Sequence, residues 1–69
     1  MSIGKVLREA REAAGLTQVA LAKRARVHRT YINQLEHDHK SPSLDVFIQI
    51  CEGLEIAPSK MMQRIEKGM

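Results

Sequence analysis

The chain has 69 residues, of which 43% are hydrophobic and 28% are charged, and this composition is typical of one compact domain spanning residues 1–69. A single cysteine excludes an intrachain disulfide, and one tyrosine with one phenylalanine leaves little surface for stacking unpaired bases. Residues 1–40 carry eight Lys and Arg against four Asp and Glu, a net charge of +4, whereas residues 41–69 carry three against four.

The first two predicted helices are short and have clear end signals. Helix 1 is expected over residues 3–14, with Ser2 as its N-cap and Gly15 in the position of a left-handed C-terminal cap. Helix 2 is expected over residues 18–25, with Thr17 as its N-cap. We predict that small alanines along helix 2 allow a second helix to approach closely.

Helix 3 is predicted over residues 29–36, with His28 in the cap position. Ile32 and Leu35 define its inward face at about 100° per residue. A tight turn joins helices 2 and 3, so residues 17–36 are expected to form a helix-turn-helix. In that arrangement the second helix offers its free polar face to the major groove of DNA.

The last two predicted helices complete an all-α, five-helix bundle. A polar loop precedes helix 4, which is expected from about Ser43 to Gly53, and Pro58 starts helix 5, which continues to about residue 67. Residues 43–67 therefore complete the core. The stripe of helix 4 that we expect to face inward contains Leu44, Phe47, Ile48, Cys51 and Leu54. A place in this stripe favours a core role for the thiol over a redox role.

The chain resembles the phage-repressor and Cro-like (Xre-type) helix-turn-helix regulators over about residues 6–62. The matching positions are Arg11, Gly15-Leu16-Thr17-Gln18, Leu21-Ala22, Val27, Arg29, Tyr31-Ile32, Leu35-Glu36, Pro42-Ser43-Leu44, Gly53-Leu54 and Ile56. The run from His28 to Ile32 looks especially like the controller proteins of restriction–modification systems. The resemblance implies a compact bundle of the lambda-repressor-like DNA-binding type.

Two positions depart from the family pattern. Arg26 stands in the turn between helices 2 and 3, where the family usually has glycine or asparagine. Asp38 stands after helix 3, where the family usually has glycine. Aspartate tolerates a positive φ better than arginine does, so the turn at Arg26 is either strained or differently shaped.

Four polar residues lie opposite the inward face of helix 3 and are the candidate base readers: Arg29, Thr30, Asn33 and Gln34. Arginine can donate twice to guanine, asparagine or glutamine can pair with adenine, and a threonine methyl can contact the thymine methyl. The alternative is that they are ordinary exposed polar residues, but inside this motif we expect base contacts.

A second set of residues is expected to grip the DNA backbone or to flank the bases: Gln18, His28, Tyr31, His37, His39 and Lys40. The family's glutamine at the start of helix 2 binds the sugar–phosphate backbone, aided by the positive end of the helix. Tyr31 lies on the flank of helix 3, where it either contacts a phosphate or base through its hydroxyl or belongs to the edge of the core. The run His37-Asp38-His39 has no further cluster of metal-ligating residues elsewhere in the chain, so we do not expect it to bind a metal. We also expect no cofactor and no small-molecule ligand.

The resemblance also implies a structural ion pair between Arg11, late in helix 1, and Glu36, which closes helix 3. Such a pair would fix the angle of helix 3 rather than touch DNA.

Helices 4 and 5 carry more apolar surface than one small core needs. The residues expected to form a dimer interface are Val46, Ile50, Met61, Met62 and Ile65. The alternative is a wide core filled by flexible methionines. We favour the dimer, because two-fold operators need two reading heads.

The sequence therefore predicts a homodimeric transcriptional regulator that binds a palindromic double-stranded DNA operator. The alternative is an antitoxin-like protein-interaction module in which DNA binding is secondary. An enzyme is disfavoured, because no nucleophilic triad, phosphate-binding glycine loop or pair of inward carboxylates is recognisable. We expect a cytoplasmic protein, without contact with a membrane, that acts at the chromosome.

Overall fold

The computed structural model describes residues 2–68 as five α-helices: α1 Ile3–Ala13, α2 Gln18–Ala25, α3 Arg29–Glu36, α4 Leu44–Leu54 and α5 Pro58–Lys67. The prediction of an all-α, five-helix bundle is confirmed, and the helix bounds agree with it to within about one residue. Of the predicted domain 1–69, Met1 and Met69 lie outside the described residues.

The N-terminal ends of four helices are capped by the side chains that the sequence predicts. The Ser2, Thr17 and Ser43 hydroxyls accept hydrogen bonds from the backbone amides three residues further on, at 2.9, 3.0 and 3.2 Å. The His28 ring nitrogen Nδ1 accepts from the Thr30 amide at 3.2 Å. Each cap satisfies one of the amides that a helix start leaves without an intrahelical partner. The fifth helix starts instead with Pro58, which has no amide hydrogen to satisfy.

The first four helices share one type of C-terminal ending. The residues in the left-handed region are Gly15 (φ 72°), Arg26 (φ 59°), Asp38 (φ 57°) and Glu55 (φ 57°). The amide of the residue after each one donates to a carbonyl five positions earlier, as in Leu16 to Arg11 and Val27 to Ala22. Only one of the four is glycine. Three side-chain-bearing residues therefore occupy a conformation that costs them roughly 1–2 kcal/mol each.

The core lies where α2 packs against α3 and α4, while α1 packs against α3 and α5. The fully buried large side chains are Leu7, Leu21, Ile32, Leu35, Ile50, Met61 and Cys51. Gly4 marks the closest approach of α1 to α3, because a Cβ atom there would lie 2.3 Å from the Leu35 carbonyl oxygen. A side chain at this position would force the two helices apart.

The α4 helix is rotated relative to the prediction. Its inward stripe contains Phe47, Ile50, Cys51 and Leu54, whereas Leu44 is 71% exposed and Ile48 is 38% exposed. The predicted inward places of Leu44 and Ile48 are therefore wrong. The helix is apolar around a wide arc, and Ile50 rather than Ile48 takes the buried position in the core.

Candidate nucleic-acid interface

The outer face of α3 consists of Arg29, Thr30, Asn33 and Gln34. The first three side chains are exposed and Gln34 is half-buried, while Ile32 on the opposite side is 1% exposed. The side-chain directions predicted for this helix are confirmed. Because the inward residues are locked in the core, the helix presents its outer face as one rigid surface.

The start of α2 lies beside this face. Gln18, the first residue of α2, lines a shallow surface concavity together with Arg29, Thr30 and Asn33. The concavity brings together one residue that the sequence assigns to backbone contacts and three that it assigns to bases. The helix-turn-helix geometry thus joins two helix starts, whose free amides and dipoles favour anions, on one surface.

Behind this surface lies the Glu36 cluster, which we define as Arg11, Gln18, Asn33 and Glu36. The guanidinium of Arg11 binds the carboxylate through two bonds, Nε to Oε2 at 2.6 Å and Nη2 to Oε1 at 3.0 Å. Its third nitrogen group donates to the Leu16 carbonyl oxygen at 2.9 Å. The ion pair implied by the resemblance is therefore present, and Arg11 joins the end of α3 to α1 and to the α1–α2 loop.

The ion pair is largely removed from water, since the exposed fraction of the side chain is 12% for Arg11 and 2% for Glu36. The hydrogen bond with Glu36 raises the pKa of Arg11 above its usual value, against the opposing effect of burial. The cluster also includes α2, because Gln18 Nε2 donates to Glu36 Oε1 at 3.0 Å. Finally, Asn33 Nδ2 donates to Gln18 Oε1 at 3.4 Å. The sequence missed both amide contacts.

Three of the residues expected to contact the DNA backbone or flank the bases, His37, His39 and Lys40, follow the C-terminal end of α3. The rings of His37 and His39 are 5.8 Å apart, and His37 Nδ1 lies 2.9 Å from the Asn33 carbonyl oxygen. Lys40 places its Nζ 5.9 Å from the centre of the Tyr31 ring, within reach of a cation–π interaction. Tyr31 is half-buried and packs against the core, so its ring belongs to the core edge.

Asp38 ties the loop after α3 to the start of α1. Its carboxylate accepts hydrogen bonds from the Ser2 hydroxyl and from the Gly4 amide, the latter at 2.9 Å. These two hydrogen bonds lower the pKa of Asp38 below its usual value, and the bond from the Ser2 hydroxyl has the larger effect. Asp38 stands where the family usually has glycine, and its two hydrogen bonds offset the cost of its left-handed backbone conformation. Sequence spacing could not reveal them, because the partners are more than 30 positions apart.

The predicted dimer interface needs correction. Ile50, Met61 and Ile65 are 1%, 0% and 5% exposed, so they belong to the core of the single chain. Val46 is half-buried against that core, and Met62 is 43% exposed. The apolar residues that reach the surface here are Leu44, Ile48 and Met62, which we call the apolar patch. Leu44 and Met62 line a common groove, together with Ile3, Ser41, Pro42, Phe47 and Ile65.

Over residues 2–68, no group of three or more His, Cys, Asp or Glu residues is arranged to hold a metal ion. None of the helices in the same range combines the length and apolar character required to cross a bilayer. Cys51 is completely buried, and this burial raises the pKa of its thiol.

Comparison with known proteins identifies the fold and its motif. The HTH_3 family model, described as helix-turn-helix, matches residues 7–61. The chain belongs to this family. The resemblance to Xre-type helix-turn-helix regulators that the sequence predicts is confirmed.

Curated relatives of this helix-turn-helix domain are longer proteins. It is 39% identical over 54 residues to the HTH-type transcriptional regulator PrpR of Mycobacterium tuberculosis, a match covering 78% of this chain and 11% of PrpR. It is 32% identical over 62 residues to the immunity repressor protein of Bacillus phage phi105, covering 90% of this chain and 43% of the repressor. The chain thus spans less than half the length of either relative.

A solved structure extends the comparison to the whole fold. The restriction–modification controller protein C.AhdI from Aeromonas hydrophila superposes with a TM-score of 0.83 at 32% identity, covering 86% of this chain and 89% of that one. The likeness to controller proteins that the run from His28 to Ile32 suggests therefore extends to the arrangement of the helices.

Proposed function

We propose that this helix-turn-helix domain is a transcriptional regulator that binds double-stranded DNA as a homodimer and reads a palindromic operator through α3. The observation that carries the proposal is the rigid outer face of α3. Four side chains able to pair with base edges stand on one side of a helix whose other side is locked in the core. A binding role, rather than a catalytic one, agrees with the regulators among its relatives.

The proposed roles divide between specificity and affinity. Arg29, Thr30, Asn33 and Gln34 would contact bases, while Gln18 and the loop after α3 would contact the sugar–phosphate backbone. Residues 1–40 supply the excess positive charge that backbone binding requires. Lys40 stands in this loop, and the His28 cap exposes its ring beside the outer face.

The apolar patch is the surface that we propose for the second copy of the chain. Leu44, Ile48 and Met62 lie on α4 and α5, which belong to the part of the fold that follows the helix-turn-helix. A dimer built there would use none of the residues on the outer face of α3. The similarity to C.AhdI supports a controller of restriction–modification genes as the biological setting. We propose the cytoplasm as its location.

The proposal is tested by selecting binding sites from random duplex DNA and measuring affinity for the selected sequence against salt. We expect a two-fold symmetric site. If a dimer neutralises about 6–10 phosphates, its affinity should fall by roughly 10³–10⁵ between about 50 and 200 mM salt. Enrichment of no sequence, or an affinity that is independent of salt, would contradict the proposal and favour a protein-interaction module.

A further inference from the structure

The Glu36 cluster constrains the orientation of two side-chain amides. An ionised carboxylate only accepts hydrogen bonds, whereas an amide group donates through nitrogen and accepts through oxygen. Glu36 is paired with Arg11 and therefore ionised, so the atom that Gln18 presents to it at 3.0 Å is the nitrogen. The opposite end of the Gln18 amide, its oxygen Oε1, then faces away from the Glu36 carboxylate and toward Asn33.

The orientation of the Gln18 amide in turn determines the orientation of the Asn33 amide. Because Gln18 presents an oxygen, Asn33 presents its nitrogen Nδ2, which lies 3.4 Å away. This choice turns the carbonyl oxygen Oδ1 to the other side of the Asn33 amide. The side chain is exposed and lines the concavity on the outer face of α3. The buried charge pair thus determines, through two amides, which atom of an exposed residue is the free acceptor.

We propose that Gln18 is a positioning residue that fixes the Asn33 amide so that its oxygen accepts a hydrogen bond from an exocyclic amine of a base. In the major groove only adenine N6 and cytosine N4 offer such a donor. Guanine and thymine present the acceptors O6 and O4 there, so two oxygens would face each other. This inference rests on the proposed function and adds the class of base that Asn33 selects.

Without Gln18 the constraint disappears. An unrestrained asparagine amide can rotate by half a turn and offer its nitrogen to guanine or its oxygen to adenine or cytosine. Gln18→Ala should therefore reduce the discrimination at the base pair facing Asn33 by about tenfold, the lower part of the range for one good base contact. The binding constants for the four bases at that position should converge, mainly because binding to guanine and thymine improves relative to the others.

The test uses the full chain and its selected operator, with all four base pairs placed in turn at each position. Asn33→Ala locates the base pair that Asn33 reads, because preference is lost there alone. Wild type should prefer adenine or cytosine at that position, and Gln18→Ala should flatten the preference. The double variant with Asn33→Ala should show no further flattening. Gln34→Ala provides the matched control, since its effect lies at another base pair and should add to that of Gln18→Ala.

A second variant separates positioning from folding. Gln18→Glu can still accept a hydrogen bond from Asn33, but it cannot donate to Glu36. It should lose stability by repulsion between carboxylates and still keep the adenine or cytosine preference. Circular dichroism identifies folded samples, and preference profiles are compared only among these.

Three results would overturn the inference while leaving the proposed function intact. One is a uniform loss of affinity in Gln18→Ala, which a residue contacting only the DNA backbone would give. Another is a wild-type preference for guanine or thymine at the Asn33 position. The third is loss of the preference in folded Gln18→Glu. Wild type that binds every sequence equally would instead contradict the proposed function itself.

Discussion

Replacing Arg11 by methionine should destabilise the protein severely, because it leaves the Glu36 carboxylate buried without its cation. Methionine keeps most of the aliphatic stem and removes the charge, two bonds to Glu36 and one to the Leu16 carbonyl oxygen. The carboxylate is 2% exposed, and its remaining partner is the neutral amide of Gln18. Breaking a buried pair in this way costs about 3–5 kcal/mol.

That loss is large against the stability of so small a domain. At roughly 0.05–0.15 kcal/mol per residue, a chain of this length has about 3–10 kcal/mol in total. Each kcal/mol shifts Tm of a small domain by about 4–8 °C, so Arg11→Met should melt at least about 12 °C below wild type. Thermal unfolding followed by far-ultraviolet circular dichroism, at neutral pH, measures this shift.

Two further variants make the assay selective. Arg8→Met removes an exposed arginine from the same helix and should change stability by no more than about 0.5 kcal/mol. Combining Arg11→Met with Glu36→Gln also removes the unpaired carboxylate charge, so the double variant should recover part of the lost stability. A loss below about 1 kcal/mol in Arg11→Met, as for exposed ion pairs, would refute the reasoning.

Three other predictions follow from the loops and the surface. Because the pKa of Asp38 is lowered in the folded state, its stabilising contribution is present at neutral pH and disappears as pH falls through that value. Acid melts should show the advantage of wild type over Asp38→Asn shrinking between about pH 5 and pH 2, and a constant difference would contradict this. Arg26→Gly should raise the free energy of unfolding by about 0.5–1 kcal/mol in denaturant titrations, because glycine adopts a φ of 59° freely. Gly15→Ala should lower the free energy of unfolding, because alanine is strained at a φ of 72°. Met62→Asp should yield a folded monomer in sedimentation experiments, while the exposed neighbour Gln63→Asp should leave the dimer intact, and an unchanged dimer in Met62→Asp would exclude the apolar patch.

The helices were predictable because their signals are local. Apolar residues at helical spacing define the inward face of α3, and the structure confirms the helix starts marked by Ser2, Thr17, His28 and Ser43. The sequence predicts the end of α4 at Gly53, one residue before its end at Leu54. Glu55 adopts the left-handed conformation that ends the helix, and neither its charge nor its size indicates that conformation. The helix end is indicated instead by the apolar residue Ile56, which follows Glu55 and packs against the core.

The remaining errors concern contacts between distant parts of the chain. On α4 nearly every position on one side is apolar, so periodicity alone could not decide whether Ile48 or Ile50 faces the core. Tertiary packing decides it and buries Ile50. Gly4 gave no sign of its close approach to α3, and the link from Asp38 to the start of α1 depends on the tertiary fold. The Arg11–Glu36 pair was predictable only through resemblance to a family.

The amide contacts of Gln18 were missed for a different reason. A glutamine at the start of a helix is expected to face a phosphate, and sequence spacing does not reveal that a buried carboxylate from α3 lies next to it. The contact changes the interpretation of the residue, from a backbone anchor alone to a link between the buried ion pair and the outer face of α3.

The most direct test of base reading by α3 compares guanine with 7-deazaguanine in the selected operator, for wild type and for Arg29→Ala. The modified base lacks only the N7 acceptor in the major groove. If Arg29 pairs with a guanine, 7-deazaguanine at one position in each half-site should weaken wild-type binding. Arg29→Ala should lose about 1–3 kcal/mol of binding free energy on unmodified DNA, and the modified base should not weaken its binding further. Equal sensitivity of the two proteins at every guanine, with all base preferences retained in Arg29→Ala, would contradict the account.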